Sequence, residues 1–453
     1  MRDSNWDILD RRMVGEAWIG SRISEHLRQL CDVIGPRWST SEPEWQAIEY
    51  LRDQFASAGV DSVEVENFAM ESWSWSRADV ELQSGPAFDV IPVIRCPTFQ
   101  LQAPIVDVGF GSEHERAAAG DLRDFVAVMS LGFEPFTDPI PHAYRALELA
   151  RAGASALVLV DPKDGKRCEY HSVHDLRDPD FPSPPLPAVT VSREDGARLR
   201  RHAGEDLHFD VVTELATGRT ANVHATIRGA AWPEESLVLG GHHDTVYGAP
   251  GGNDNASGTI AVLETARVIA ACGQRPGRTL HFVTFAAEEQ GFLGSADFVH
   301  RHYRDPGQRP RLAINLDELS TGRMKGVVLA FPHLRRLVQS QLDEMGDGLV
   351  CHLMSQLDAS SDHFPFLREG LDAAHLWRWR FHGRHSESDF HHEPADTAEK
   401  LNIRELKDYT AQLSRLLMRL ASLDPEQWPQ RQVSAEDARA RIESERGTVI
   451  RVR

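Results

Sequence analysis

Between residues 219 and 317 the chain repeats one pattern, an apolar run, a glycine-bearing turn and a helix-length segment, and this repetition restricts the fold more than any other feature. SLVLGGHHD (236–244) is followed by a helical stretch from about 256 to 271. RTLHFVTFAAEE (278–289) is followed by a second helical stretch near 292–303, and RLAINLDE (311–318) comes next. Strands alternating with helices at this spacing predict an α/β fold, a mainly parallel sheet with helices on both faces. The helix after Ser257 is apolar nearly all round (Ile260, Ala261, Val262, Leu263, Ala266, Val268, Ile269), which predicts deep burial and a fixed starting point.

The rest of the chain frames this core. Residues 14–57 carry helical apolar spacing broken at Gly35-Pro36. Glu42 to Ala58 reads as an amphipathic helix stopped by Gly59, and 60–68 reads as an alternating strand. From 76 to 215 the pattern changes to short apolar runs (FDVIPVI, APIVDVGF, FVAVMSL, ASALVLV) separated by Gly and Pro, with one helix around 142–152. This predicts a β-rich domain inserted into another: 1–75 and 216–425 form the two parts of one domain, 76–215 the insert, and 426–453 a polar tail with a charged, exposed helix in AEDARARIESER.

Charge excludes two partner classes. Lys and Arg total 49 against 68 Asp and Glu, a formal net charge of -19, so neither nucleic acid nor an anionic membrane surface is an expected partner. No run approaches the roughly 20 apolar residues of a membrane helix. The opening MRDSNWDILDRRM lacks the apolar core of a signal peptide, so a cytoplasmic protein is expected. Five scattered cysteines (Cys31, Cys96, Cys168, Cys272, Cys351) read as reduced thiols.

In open parallel sheets ligands bind beyond the carboxyl ends of the strands, and there the metal-ligating residue types accumulate. After the first strand, His242 and Asp244 share a face, which predicts that His242 ligates while Asp244 accepts its second ring N–H. Gly251-Gly-Asn-Asp254-Asn-Ala-Ser-Gly258 delivers one carboxylate at the start of the buried helix, and two oxygens allow Asp254 to bridge two cations. Glu288 and Glu289 converge on one site only if the chain leaves strand geometry there, which Gly291 permits; one acid then binds metal and the other stays free as a base. Asp317 ends the next strand, and His391-His392-Glu393-Pro394-Ala395-Asp396-Thr397 comes later. This nitrogen and oxygen donor set suits zinc, with cobalt or manganese as substitutes. His382 and His385 read as a polar loop near the site, not as ligands.

The ordered series GGHHD, GGNDNASG, AAEEQG, INLDE and HHEPADT resembles the zinc aminopeptidase family with two co-catalytic metals; CDVIGPRWSTS (31–41) and SWSWSR (72–77) resemble it too. The resemblance spans roughly 25–415 and implies that 76–215 is a protease-associated domain. It further implies that His242, Asp254 and Asp317 hold one metal and Asp254, Glu289 and His392 the other, with Glu288 as general base. His242 is preferred over His243, and His392 over His391. A cis peptide bond between Asp254 and Asn255 is also implied.

The expected activity is exopeptidase hydrolysis of short peptides, as an aminopeptidase or dipeptidase, by a water activated between two divalent ions and Glu288. A deacylase of the related clan, or a binding protein that kept its metal site, are the alternatives. That clan usually has Asp-x-Lys-Gly where this chain has Asp254-Asn-Ala-Ser-Gly258, and an intact Glu288 disfavours the binding protein. Arg378 and Arg380, on one face of His375-Leu-Trp-Arg-Trp-Arg380, are candidates to clamp a substrate carboxylate. A homodimer is a further possibility.

Overall fold

The computed structural model describes residues 4–83, 85–132, 136–137, 140–175, 181–319, 324–346, 352–378, 390–430 and 433–444. The chain divides into two compact units, the first made of 1–70, 219–382 and 394–452, the second of 71–218 and 383–393 with residue 453. The divisions at 70/71 and 218/219 fall inside two long strands, Ser62–Leu82 and Asp206–Ile227, and not in loops.

In the first unit Trp232–His242 lies between Arg278–Phe285 and Leu312–Asn315, parallel to both, and Leu312–Asn315 is parallel to Ala373–Arg378. Antiparallel neighbours flank this block: residues 223–227 beside Arg278–Phe285, and Met324–Leu329 beside Ala373–Arg378. The sheet is mainly parallel, as the strand and helix alternation requires.

Both faces are covered, and the strand period shows how. Leu237, Leu239, Leu280, Phe282, Leu312 and Ile314 point into a core shared with the helices Glu42–Ser57, Ser257–Ala271 and Ile403–Ser422, while Val238, Val283 and Ala313 point into a second core with Leu293–His302 and His363–Arg368. From Ser257 to Ala266 every residue of Ser257–Ala271 is buried, which matches its all-round apolar sequence. Helix Glu42–Ser57 begins at a Ser41 cap that accepts the Glu44 N–H, and ends before Gly59 at φ +83°.

Three expectations needed correction. The strand predicted at 60–68 runs on to Leu82, through the tryptophan patch, because Trp73 is buried on it and donates its Nε1–H to the Cys96 carbonyl at 2.9 Å. The second unit contains three described helices (Glu113–Ala119, His142–Arg151, Arg193–Arg200), two of them unforeseen. At 7 and 8 residues those two are too short to show a period, although Ser112 and Glu115 form a capping box that marks the first. The tail helix Ala435–Ser444 is not wholly exposed, since Ala438 is buried in the second core of the first unit.

In the second unit Phe99–Asp107, Val126–Ser130, Ala156–Val160 and Ala188–Val191 are parallel neighbours, and the unit has its own core around Val126, Val128, Val158 and Val189. Among the described residues no helix is long and apolar enough to cross a membrane. The four described cysteines are free thiols; Cys351 lies outside the described residues.

Candidate active site

The site lies beyond the carboxyl ends of the parallel strands of the first unit. His242 is the last residue of its strand and is fully buried. Its Nε2 is 3.2 Å from Asp254 Oδ1, 3.4 Å from Asp317 Oδ1 and 4.0 Å from Glu288 Oε2. Within 4.8 Å of one another lie the donor atoms of two groups, His242 with Glu288 and Asp317, and His242 with Asp254 and Glu289. His242 Nε2 and Asp317 Oδ1 are buried and make no aligned hydrogen bond. A ring nitrogen ringed by carboxylates without hydrogen-bond geometry is a donor set that fits a divalent cation better than a proton.

Each donor is placed by a local backbone feature. Asp254 sits in the turn Gly252–Ala256, outside helical geometry at φ -112°, ψ 91°, and the peptide bond to Asn255 is cis, as the resemblance implies. Asp396 accepts the N–H groups of Asn253 and Asp254, both at 2.9 Å. The glycines here are required by close approach: a Cβ on Gly241 would lie 2.6 Å, and one on Gly258 2.2 Å, from the Leu316 carbonyl oxygen. Gly251 takes φ +58°.

The strand before Glu288 ends at Phe285, and the turn comes earlier than Gly291. Ala287 itself adopts φ +56°, and Leu293 N–H and Gly294 N–H close back onto the carbonyls of Ala287 and Ala286. Asp244 stabilises this turn. Its Oδ1 accepts the Glu288 N–H at 3.1 Å, its Oδ2 accepts the Glu289 N–H at 3.3 Å, and Ser39 donates to Oδ2 at 2.9 Å. The ring bond expected between His242 and the Asp244 carboxylate is instead made with the Asp244 backbone carbonyl, 3.1 Å from Nδ1, while the carboxylate is 3.5 Å away. The chain leaves the strand immediately after His242, which swings that carbonyl inward.

Burial drives the protonation states. The Glu288 carboxyl is raised well above the ordinary range, first by burial and then by the nearby Glu289 and Asp317 charges, against an opposing pull from His242. His242 is also raised well above its usual value, since Glu288, Asp317, Asp244 and Asp254 together overcome its burial.

His243 is buried, with Nε2 3.7 Å from Glu44 Oε1. His392 falls in the second unit, where its carbonyl accepts the Tyr170 N–H and its ring stacks on His391 with centroids 3.5 Å apart. Arg378 ends the strand Ala373–Arg378, but its side chain lies outside the described residues, as do Arg380, His382 and His385 entirely.

Two site residues escaped the sequence reading. Arg37 is fully buried and donates to the carbonyls of His243 (2.8 Å), Pro250 (2.8 Å) and Gly251 (3.2 Å), tying the end of the His242 strand to the loop that leads to Asp254. Asp362 is fully buried, accepts the Ser295 hydroxyl, and is pushed up to about 8 by burial with Asp244 and Asp317 nearby. The signal for Arg37 lay in CDVIGPRWSTS; nothing in the sequence around Asp362 marked it.

All of the first-unit donors lie in one stretch of chain, 242–317. Residues 222–417 match the model of peptidase family M28. The five segments of the zinc aminopeptidase resemblance, 240–244 to 391–397, all fall inside this M28 match. The chain is 24% identical over 400 residues to aminopeptidase YwaD of Bacillus subtilis (strain 168), covering 84% of this chain and 80% of that one. It is 21% identical over 402 residues to carboxypeptidase Q of Bos taurus, covering 85% and 82%. Among solved structures, an M28 peptidase precursor from Shewanella amazonensis SB2B superposes with TM-score 0.77 at 20% identity, covering 94% of this chain and 98% of that one. BSAP, a zinc aminopeptidase from Bacillus subtilis, gives TM-score 0.72 at 21% identity, covering 92% and 96%. The fold is thus the mixed α/β fold of M28 structures.

Proposed function

We propose that this chain is a zinc-dependent exopeptidase that removes residues from one end of short peptides. The observation that carries the reading is the convergence of His242, Asp254, Glu289 and Asp317, with Glu288, at the strand ends inside the M28 match. In the proposed assignment His242, Asp254 and Asp317 hold one ion, and Asp254, Glu289 and His392 a second. Bound there, zinc supplies a water that deprotonates near neutral pH and an electrophile for the scissile carbonyl.

The chain's own residues do the rest. Glu288 reaches the space shared by these donors, so its carboxylate takes the proton of the attacking water and returns it to the leaving amine. Asp244 fixes the backbone of Glu288 and Glu289, which keeps the base and its neighbouring ligand in one orientation. His242, Asp254 and Glu288 are buried while Glu289 and Asp317 are partly exposed, and the buried side of the donor set strengthens the charge interactions made during attack.

Three finer readings belong to the same proposal. The second unit, with its own core, is read as the protease-associated insertion that limits access to short peptides or free chain ends. Arg378 and Arg380 are read as a clamp for a terminal carboxylate. The substrate is a short peptide. A panel of tri- and tetrapeptides, free or blocked at each end and assayed with zinc, tests these together. The expected result is one product residue per cut and loss of turnover when one particular end is blocked. Cleavage of denatured proteins at internal bonds would overturn the exopeptidase reading.

A further inference from the structure

A second cluster of metal-ligating side chains lies in the first unit, built from residues the active site does not use. Glu66 on strand Ser62–Leu82, His224 on Asp206–Ile227 and His302, the last residue of helix Leu293–His302, bring their donor atoms within 4.8 Å of one another. Glu66 Oε1 is 2.9 Å from His224 Nδ1 and 2.8 Å from His302 Nε2. We propose that Glu66, His224 and His302 form an additional divalent-cation site, suited to zinc, distinct from the catalytic one.

The hydrogen bonding within the cluster is lopsided. One oxygen of Glu66 takes both histidines, while Oε2 is buried and has no hydrogen-bond partner. A bare carboxylate oxygen on a residue only 7% exposed is costly, and a cation bound through Glu66 removes that cost. The two ring nitrogens facing Glu66 are the ones such an ion would use once it displaced their protons.

The surroundings match those of a ligating histidine. His224 Nε2 is 2.8 Å from His281 Nδ1, and Thr226 Oγ1 is 3.3 Å from both. Such an outer partner for the second ring nitrogen fixes the tautomer that leaves Nδ1 free to ligate. Phe298 packs edge-on to His224 with centroids 5.2 Å apart and against His302 at 4.5 Å, holding both rings in place. The His302 side chain is 33% exposed, which provides an entry path and room for a water as fourth ligand. Tetrahedral zinc with bonds of 2.0–2.1 Å separates its ligand atoms by roughly 3.3 Å, so filling the site spreads the present contacts by about 0.5 Å, within reach of the partly exposed His302.

The bound ion would act structurally. It would join two strands to the far end of helix Leu293–His302, whose first turn closes onto the carbonyls of Ala286 and Ala287 just before Glu288.

The test is zinc content of the full chain. Protein stripped with chelator, reloaded with excess zinc and desalted is compared between the wild type, Glu66→Gln and His302→Asn. The proposal expects each variant to hold one zinc fewer per chain, with peptidase activity within about twofold of wild type. If Glu66→Gln fails to fold, His302→Asn decides alone, because its side chain is partly in solvent. As a check independent of the catalytic assignment, Asp317→Asn must keep the zinc that His302→Asn loses, read from the content of the double variant. Equal zinc in wild type and His302→Asn overturns the proposal, whatever the activity.

Discussion

Asp244 and Glu288 are joined by a single hydrogen bond that sets the geometry of the site: the Asp244 carboxylate accepts the Glu288 backbone N–H at 3.1 Å. The same carboxylate holds Glu289 N–H and the Ser39 hydroxyl. One buried acid therefore orients both the proposed base and the proposed ligand beside it.

Asp244→Asn removes half of this acceptor capacity and puts an amide donor against backbone donors. Outer partners of metal ligands are worth on the order of 10–100-fold in affinity or activity. The expected outcome is a fall in kcat of that size with a smaller change in KM. Steady-state kinetics on a free tripeptide, with zinc content measured in parallel, checks it.

Glu264 links the buried helix Ser257–Ala271 to the amino-terminal segment. Arg267 donates to it at 2.7 and 3.1 Å, Arg22 N–H at 3.1 Å, and His26 Nε2 lies 3.6 Å away. Burial alone would raise its pKa, but the bonds from His26 and Arg267 outweigh burial and hold it down at about 2. A depressed carboxylate contributes stability that is complete above its unfolded value, near 4.5, and is lost as pH falls towards 2. The contribution is about 3 kcal/mol at 1.36 kcal/mol per pKa unit. Glu264→Gln is expected to be less stable at pH 7 and to show a shallower stability loss between pH 4.5 and 2. Urea melts across that range decide; parallel curves for the two proteins would refute it.

Within the second unit, Glu393 is almost wholly buried and pairs with Lys163 and with Arg167, whose Nε and guanidinium NH2 lie 2.8 and 2.7 Å from its two oxygens. Removing one partner of a buried network leaves an uncompensated charge and costs about 3–5 kcal/mol. Glu393→Ala is therefore expected to lower Tm and, because His392 immediately precedes it, to weaken the second proposed metal position. Zinc retention during dialysis against a weak chelator should fall in the variant and be rescued by Glu393→Asp at least in part.

How much of this could be read from the residues alone follows from distance along the chain. His242, Asp254, Glu288, Glu289 and Asp317 were legible because each sits in a short motif at a strand end, where local pattern and position coincide. Arg37 was visible only as one residue of CDVIGPRWSTS, and its role was not, because its acceptors at His243, Pro250 and Gly251 are about 210 residues away. The partner of His242 Nδ1 was misassigned for a local reason: face alternation holds only while the strand lasts, and the strand stops at His242. The length of Ser62–Leu82 was hidden by its aromatic patch, which reads as a boundary until Trp73 is seen buried.

The central claim is that Glu288 moves the proton while its neighbours hold zinc, and Glu288→Gln separates the two roles because the amide keeps the shape and removes the base. The decisive measurement is kcat of this variant at full zinc occupancy, with occupancy determined on the same sample. The account predicts wild-type zinc content and a kcat reduced by at least about 100-fold. A zinc-replete variant turning over at near wild-type rate would contradict it.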